Sequence, residues 1–360
     1  MSEEKLVPKL RFSGFDDEWK TYKLKDLLHN KSSSISINQL DDNVGNYPLY
    51  GASGFLKCID FYEMDSDYIS IVKDGSGVGN ISFHEKNTSV VNTSQYILPK
   101  ENLNIHFIFY LLQTINLNKY KTGSTIPHIY FKDYSIEKVK IPKYDEQKKI
   151  GILLKNLDAK IEILDNKLQM CQNFKKYLMQ QIFTQKLRFN FDDEWKQYKL
   201  KDVLTVKSSS ISINQLEENT GDYPLYGASG FLKNIDFCEM DVDYISIVKD
   251  GSGVGNLSFH EKNSSIVNTS QYLLPKKNFN INFLYYLLQT INLMKYVNGS
   301  SIPHIYFKDY CIEKINIPSL DEQEKIGKLF VDVDITMENL NKNINATQEF
   351  KKGLLQQMFV

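Results

Sequence analysis

The stretch YPLYGASG runs from Tyr47 to Gly54, and the same octapeptide returns from Tyr223 to Gly230. A segment with two tyrosines, a proline and two glycines in one order does not recur by chance in a chain of 360 residues. The repeat extends outward, because Phe15–Trp19 matches Phe191–Trp195 and an offset of 176 residues then holds without a gap to the end. Solenoid and propeller repeats have periods of about 20–50 residues. The chain is therefore one long unit used twice.

The composition indicates a globular protein with room for two domains, since 42% of the residues are apolar and 12% are aromatic. The formal net charge of −1 neither predicts nor excludes a nucleic-acid partner, so any DNA surface must be a local lysine patch or be completed by partner subunits. Arg11 and Arg188 are the only arginines. No apolar run approaches the ~18 residues of a membrane span. We expect a cytoplasmic protein with no membrane partner.

The duplication acts as an internal control on catalytic motifs, because a site used in both copies must occur in both. None of the four cysteines is matched by a cysteine, which disfavours zinc, redox and disulfide roles. The glycine cluster Gly75–Gly79 precedes a strand-like segment rather than a helix, so it predicts a hairpin loop and not a phosphate-binding loop. The nuclease-like Glu146–Gln147–Lys148 becomes Glu322–Gln323–Glu324, and we interpret it as a helix start and nothing more.

Each copy begins with segments of mixed character. Asp67–Lys86 predicts strand, turn and strand, and SVVNTSQYILP predicts a further strand. Ile105–Tyr120 is apolar with helical spacing, and extended segments follow up to Pro142. These patterns predict an α+β domain. Its histidines His84 and His128 recur in the second copy, without a repeated nucleophile near them, and are interpreted as satisfied or surface groups.

After Pro142 the pattern changes to a helical one about 40 residues long. Apolar or small residues recur with the period of about 3.5 that is typical of coiled coils. In the first copy they are Ile150, Leu154, Leu157, Ile161, Leu164, Leu168, Cys171, Phe174, Leu178 and Ile182. In the second copy they are Ile326, Phe330, Val333, Met337, Leu340, Ile344, Thr347, Phe350, Leu354 and Met358.

A helix with such a stripe must bury it, and its own copy is the obvious partner. We therefore predict an α+β fold in which two similar globular domains are separated by two long helices, packed as an antiparallel coiled coil with pseudo-two-fold symmetry. Such a chain imitates a two-fold dimer. The predicted ranges are 1–143 and 185–319 for the globular domains and 144–184 and 320–360 for the long spacer helices.

The ordered elements YPLYGASGF, YISIVKDGSGVGN, VNTSQYILP, GSTIPHI and IEKVKIPKYDEQKKIGILLKNLDAKI resemble the specificity subunit of type I restriction–modification systems. The most specific of them is the run at Ile141–Asp158 and at Ile317–Asp334, which begins with Ile-Pro, continues with Asp-Glu-Gln and ends with an aspartate. The resemblance covers the entire chain twice, in the family's order of recognition domain, helix, recognition domain and helix.

The resemblance implies a non-catalytic subunit that binds double-stranded DNA and reads a target in two parts. It implies two methyltransferase subunits on the helices, which modify adenine N6, and two motor–nuclease subunits that cleave DNA. S-adenosylmethionine, ATP and magnesium are then expected on those partners, with no cofactor in this chain. In the family the recognition domains usually differ, whereas here roughly four positions in five match from Phe15 to Pro142. We therefore expect an interrupted palindrome.

The candidate DNA-binding residues occupy polar loops that recur in both copies. Arg11 and Arg188 both precede the repeated segments that start at Phe15 and Phe191, so no arginine lies among the recurring loops and readout falls to other side chains. In the first copy the candidates are Tyr50, Ser53, Lys73, Asn92, Thr93, Ser94, Gln95, Ser124, His128, Tyr130 and Lys132. In the second they are Tyr226, Ser229, Lys249, Asn268, Thr269, Ser270, Gln271, Ser300, His304, Tyr306 and Lys308. Ordinary turn chemistry, a polar strand edge or phosphate contacts without sequence meaning remain alternative interpretations.

Two rival functions remain. A coiled-coil scaffold with two protein-binding end domains is compatible with the near-neutral charge. A nuclease or methylase acting alone is disfavoured by the missing motifs. Steep weakening of binding by salt would distinguish a nucleic-acid partner from a protein partner.

Overall fold

The computed structural model of the protein describes residues 7–40, 44–216, 220–299 and 301–360, and of Gln215 the backbone only. It divides into two compact units. Unit 1 contains the chain up to Asp165 together with Lys342–Val360, and unit 2 contains Asn166–Asn341. Each unit thus combines one α+β domain with part of each long helix. Among the described residues, no helix has a stretch long and apolar enough to cross a bilayer.

The first copy contributes nine strands and four helices among the described residues. The strands are β1 Lys20–Lys23, β2 Leu28–Ser32, β3 Tyr47–Gly51, β4 Gly54–Ile59, β5 Tyr68–Val72, β6 Ile81–His84, β7 Ser89–Val90, β8 Ser94–Pro99 and β9 Lys138–Ile141. The helices are α1 Leu24–Leu27, α2 Ile105–Gln113, α3 Phe131–Tyr134 and α4 Tyr144–Phe183. Two short 3-10 segments lie at Ile37–Gln39 and Leu117–Tyr120.

The second copy repeats these elements. The strands are β10 Lys196–Lys199, β11 Leu204–Ser208, β12 Tyr223–Gly227, β13 Gly230–Ile235, β14 Tyr244–Val248, β15 Leu257–His260, β16 Ser265–Ile266, β17 Ser270–Pro275 and β18 Lys314–Ile317. The helices are α5 Leu200–Val203, α6 Ile281–Gln289, α7 Phe307–Tyr310 and α8 Leu320–Met358, with 3-10 segments at Ile213–Gln215 and Leu293–Tyr296.

Each α+β domain is built on a four-stranded antiparallel sheet, in the order β2-β8-β5-β6 in unit 1 and β11-β17-β14-β15 in unit 2. A three-stranded sheet β4-β3-β7, and its copy β13-β12-β16, lies beside it. Every residue of β5 is buried, as expected for a central strand with both faces covered. Helix α2 packs on β5, β6 and β8 and contributes Phe107 and Leu111 to the core.

One predicted strand and one predicted helix need correction. The segment SVVNTSQYILP is two strands, β7 and β8, with a turn at Asn92–Thr93 between them. The predicted helix at Ile105–Tyr120 ends at Gln113, and its last part is a separate 3-10 turn. Asn116 accepts a hydrogen bond from the backbone N–H of Asn118 at that turn, which is the local competition that asparagine offers to a continuing helix.

Within each unit the long helices run antiparallel. In unit 1, Asp158 of α4 meets Lys351 of α8 at 2.5 Å, while the earlier Leu154 shares a core with the later Met358. In unit 2, Lys175 contacts Asp334 at 2.7 Å, and Phe183 stacks on Phe330. Helix α4 has 40 residues and α8 has 39, ending one and two residues before the predicted ranges. The α+β class and the antiparallel packing of the helices are confirmed.

The apolar stripe was predicted correctly except at one place in each helix. Phe174 is 53% exposed and Phe350 is 58% exposed, although both were predicted to face inward. The neighbouring Lys175 and Lys351 turn inward instead, because each forms an ion pair with an aspartate of the opposite helix in the same unit. A heptad count cannot detect this, since it assumes that the inward position is apolar.

Candidate nucleic-acid interface

Four polar loops meet on one face of each unit, and we call this face the recognition surface. In unit 1 it comprises the β3–β4 turn at Gly51–Gly54, the glycine turn at Asp74–Asn80, the β7–β8 turn at Asn92–Thr93 and the hairpin loop at Thr122–His128. The β3–β4 turn touches the glycine turn so closely that a Cβ on Gly77 would lie 3.1 Å from Cβ of Ala52. The C-terminal end of the octapeptide Tyr47–Gly54 therefore forms one edge of this surface.

The segment that follows β5 holds the other loops together through its backbone. The N–H groups of Lys73 and Asp74 both donate to the carbonyl oxygen of Thr93, at 2.8 and 3.2 Å. Gly75 N donates to the carbonyl oxygen of Pro127 at 3.0 Å, and Ile129 N donates to that of Lys73 at 2.9 Å. These are main-chain bonds, so the loops are held in place irrespective of their side chains. The side chains on these loops can then change without loss of the scaffold.

Unit 2 reproduces this backbone network. Lys249 N donates to Thr269 O at 2.8 Å, Gly251 N to Pro303 O at 2.9 Å, and Ile305 N to Lys249 O at 2.9 Å. The second recognition surface therefore comprises Gly227–Gly230, Asp250–Asn256, Asn268–Thr269 and Asn298–His304, apart from Ser300, which lies outside the described residues.

Asp74 is a member of the recognition surface that sequence reasoning missed. Its carboxylate lies 2.7 Å from Nδ1 of His128 and 3.9 Å from Nζ of Lys73. A carboxylate on Nδ1 orients the imidazole and leaves Nε2 directed away from it, available to a ligand. In unit 2 the ring of His304 instead lies 3.3 Å from the carbonyl oxygen of Ile302. The sequence signal was the recurrence of an acid directly after the candidate lysine.

An exposed tyrosine and a lysine form a second group at the edge of this surface. Tyr130 is 47% exposed, and Nζ of Lys132 lies 5.5 Å from its ring centroid. Tyr306 and Lys308 repeat the arrangement at 5.3 Å. A flat ring with an ammonium group over it offers stacking and a positive charge together, both of which suit nucleic acid.

The predicted candidates fall into three groups by exposure. Exposed are Ser53, Asn92, Ser124, Tyr130, Lys132, Ser229, Asn268, Thr269, Tyr306 and Lys308. Partly exposed are Tyr50, Lys73, Thr93, His128, Tyr226, Lys249, Gln271 and His304. Buried are Ser94, Gln95 and Ser270.

The buried candidates are corrections to the prediction. Ser94 is 1% exposed and Gln95 is 3% exposed, so neither side chain lies on a surface that a duplex could touch. Gln95 Nε2 donates to the hydroxyl of Tyr134 at 2.9 Å, which ties β8 to α3. In unit 2, Gln271 donates to Oγ of Ser208 at 3.2 Å. These polar residues position the loops, and the period-two pattern did not reveal which face they occupy.

His84 and His260 are interior residues, as the simpler interpretation of the sequence held. His84 lies 2.9 Å from Oγ of Ser70 and packs between the rings of Tyr50 and Tyr68. Burial disfavours the charged imidazolium and lowers the pKa of His84 to about 4, and that of His260 to about 4 as well. Both histidines are therefore neutral at pH 7.

These two histidines give the protein a predictable pH dependence. A histidine in the unfolded chain has a pKa near 6.5, so it becomes protonated as pH falls below that value, whereas the buried histidine of the folded chain stays neutral down to about pH 4. Protonation therefore favours the unfolded state in this range. We expect each histidine to reduce stability by about 1.4 kcal/mol between pH 7.5 and pH 5.5. Denaturant unfolding at the two pH values measures this. The double variant His84→Gln, His260→Gln should lose less over the same interval, and an unchanged loss would contradict the assignment.

The Glu-Gln pair at the start of each long helix does more than begin a helix, contrary to our interpretation of the sequence. Arg11 donates one hydrogen bond to each carboxylate oxygen of the buried Glu146, both at 2.8 Å. Gln147 accepts from Asn104 N at 3.0 Å and donates to the carbonyl oxygen of Pro142 at 2.9 Å. The pair therefore fastens α4 to the N-terminal segment and to the start of α2. Arg188, Glu322 and Gln323 repeat these contacts in unit 2.

The aspartate near the end of the same signature completes this junction. Asp158 accepts from the hydroxyl of Tyr110 on α2 at 2.7 Å and pairs with Lys351 of α8. In unit 2, Asp334 accepts from Tyr286 at 2.7 Å and pairs with Lys175. Each aspartate thus joins the α+β domain to both long helices of its unit. These residues join the α+β domain to the long helices and lie outside the recognition surface.

Known proteins resemble the chain over nearly all of its length. A provisionally named type I specificity subunit of Mycoplasma pneumoniae is 24% identical, covering 94% of this chain and 95% of that protein. The type I restriction enzyme MjaVIII specificity subunit of Methanocaldococcus jannaschii is 21% identical, with 94% and 91% covered. The crystal structure of the type I restriction–modification S subunit from M. genitalium superposes with a TM-score of 0.79 at 19% identity, covering 98% and 99%.

The family model described as type I restriction modification DNA specificity domain matches residues 16–171 and again residues 192–348. The two matches correspond to the two copies of the repeat, and each covers a recognition surface together with most of the long helix that follows it. The chain therefore belongs to the family of type I restriction modification DNA specificity domains, and it carries two of these domains in tandem.

Proposed function

We propose that the chain is the non-catalytic specificity subunit of a type I restriction–modification complex, acting in the cytoplasm, and that each recognition surface reads one half of a bipartite DNA target. The observation that carries this proposal is the gathering of four polar loops onto one face by the same main-chain network in each unit. Exposed hydroxyl, amide, imidazole and ammonium groups project from a fixed backbone there. Such groups contact phosphates and base edges in protein–DNA interfaces.

We propose further that two methyltransferase subunits dock on the long helices and that two motor–nuclease subunits join them. S-adenosylmethionine, ATP and magnesium would act on those partners, and adenine N6 would be the methylated atom. One observation supports docking on the helices, and a second supports assembly with other subunits. Phe174 and Phe350 are exposed aromatic residues on equivalent positions of α4 and α8. A chain with a TM-score of 0.51 and 15% identity comes from a structure titled for complex assembly of the type I restriction–modification system.

DNA binding by the full-length chain should weaken steeply with salt, because each phosphate contact releases counterions. We expect the double variant Lys132→Ala, Lys308→Ala to bind all sequences more weakly and to reduce the slope of log K against log salt by about one per lysine. Fluorescence anisotropy with a labelled duplex at several salt concentrations measures both effects. The matched control is Lys176→Ala, Lys352→Ala, which removes two exposed lysines of the long helices.

An affinity that does not change with salt concentration, or an equal loss of affinity in the helix control, would count against the recognition surface as the DNA interface. In that case the alternative function, a coiled-coil scaffold with two protein-binding end domains, would account better for the two polar faces.

The target should be an interrupted palindrome. The exposed loops of the two units are nearly identical, so they should read nearly the same bases. With the two-fold arrangement that the duplication predicts, those bases lie on opposite strands, with half-sites about one helical turn apart. Single-molecule sequencing of methylated adenines in the native genome identifies the target directly. Two unrelated half-sites would contradict this prediction and leave the DNA-binding proposal intact.

A further inference from the structure

We infer that Ile126 and Ile302 are apolar base readers that contact the 5-methyl group of a thymine in each half-site. This inference rests on the proposed DNA-binding function and adds a specificity determinant to it. Ile126 is 57% exposed and Ile302 is 69% exposed, at equivalent positions of the two hairpin loops. Each lies among polar residues, two positions before the histidine of the recognition surface.

The hairpin that presents Ile126 is rigid. Thr122 and His128 exchange both main-chain hydrogen bonds, at 2.9 and 2.7 Å, and Pro127 is anchored to Gly75. Gly123 has a φ of +85°, and a Cβ there would lie 2.4 Å from the carbonyl oxygen of Ile126, so only glycine permits this turn. The isoleucine is therefore held outward by a fixed backbone, and little conformational entropy remains to be lost on contact with a ligand.

A single exposed apolar residue is ordinarily without meaning. Here the duplication supplies a local comparison, because exposed residues in the segment just before the hairpin differ between the copies. In the segment just before the hairpin, the exposed Asn118 and Lys121 correspond to Met294 and Val297. Residues 123–134 and 299–310, in contrast, are identical except that Thr125 corresponds to Ser301. The isoleucine is kept within a segment that is otherwise polar or structural.

Thymine supplies the matching chemistry. Its 5-methyl group is the apolar feature that base pairs present in the major groove, and apolar side chains read it by direct contact. The neighbouring His128 and Ser124 offer hydrogen-bonding groups to the adjacent base edges, while Lys132 offers a charge to the backbone. The hairpin loop therefore combines one apolar reader with polar readers on one rigid support.

The test uses a duplex selected from a random-sequence library by the full-length wild-type chain. Each thymine of that duplex is replaced singly by deoxyuridine, which removes only the methyl group. We expect one replacement per half-site to weaken wild-type binding about fourfold, as loss of one buried methyl predicts. The double variant Ile126→Ala, Ile302→Ala should bind the thymine and deoxyuridine duplexes equally, with an unchanged unfolding midpoint.

The matched control is Ile136→Ala, Ile312→Ala, which truncates two isoleucines of similar exposure, 56% and 57%, outside the hairpins. This control should discriminate thymine from deoxyuridine as the wild type does. The inference is overturned if the Ile126/Ile302 variant still prefers the thymine duplex to the deoxyuridine duplex, as it would if its affinity fell by the same factor for both. It is also overturned if no deoxyuridine replacement changes the affinity of the wild type. A wild-type chain that selects no duplex overturns the proposed function, and this inference with it.

Discussion

Replacement of Arg11 with alanine should destabilise unit 1 by about 3–5 kcal/mol, the cost of leaving a buried charge without its partner. Glu146 is 1% exposed, and Arg11 supplies two bonds to its carboxylate together with one to the carbonyl oxygen of Asp17. The carboxylate cannot reach water without separating the start of α4 from the N-terminal segment. Because small domains are stable by only about 5–15 kcal/mol, this loss is a large fraction of the total.

Unfolding of unit 1 can be followed separately, because each unit contains one of the two tryptophans. In a Trp195→Phe background the fluorescence of Trp19 reports on unit 1 during denaturant unfolding. The control is Lys143→Ala, which breaks an ion pair with Asp17 whose side chains are 73% and 64% exposed. An exposed pair contributes about 0–1 kcal/mol. A similar cost for both variants would show that burial of Glu146 does not have the importance assigned to it.

A second design checks whether the charge itself is needed. The double variant Arg11→Met, Glu146→Leu removes both charges and keeps similar volume, which is often neutral or stabilising for a buried pair. It should recover much of the stability lost in Arg11→Ala. Should the double variant be as unstable as the single one, the bond of Arg11 to Asp17 would be the dominant contribution instead.

Two glycines of the long helices should respond to alanine with opposite signs. A Cβ on Gly151 would lie 2.6 Å from Oδ1 of Asn104 and 2.9 Å from the backbone nitrogen of Phe107. Since backbone cannot rotate away, we expect Gly151→Ala to destabilise unit 1 by about 2 kcal/mol and to separate α4 from α2. Gly353 has no atom within 4 Å of its Cβ position. Gly353→Ala should therefore stabilise the same unit by about 0.5–1 kcal/mol.

Both glycine variants can be measured with the Trp19 reporter, because both residues belong to unit 1. The comparison removes the general preference of helices for alanine, which favours both substitutions equally. If Gly151→Ala were neutral or stabilising, the close approach of α4 to α2 would not restrict that position. The equivalent Gly327 faces the same groups in unit 2, with Asn280 Oδ1 at 2.9 Å, and should behave alike.

Prediction from the sequence succeeded where the signal is local or repeated. The offset of 176 residues established two copies, the 3.5-residue period predicted two long helices, and the alternation around Ile69 and Ile71 predicted a strand. The same reasoning failed at Phe174, which is exposed. Lys175 faces inward instead, because it forms an ion pair with Asp334 of the other helix. A one-dimensional period contains no information about what a neighbouring helix presents.

The recognition surface was predicted in part. Most of its polar loops were identified because they recur unchanged, but Asp74 and the exposed Ile126 were overlooked, and Gln95 was included although it is buried. Recurrence selects exposed candidate residues and buried supporting residues alike. Exposure separates the two groups, and exposure depends on which strands pair and which loops cover them.

The sequence by itself determined that this protein is a duplicated α+β domain with two long helices, because repeats, apolar periods and turn residues are properties of neighbouring positions. Only the tertiary structure decided that Arg11 pairs with the buried Glu146, 135 residues away, and that four separate loops form one face. The physical reason is that a buried charge or main-chain amide must find a partner, and that partner is set by how the chain returns on itself.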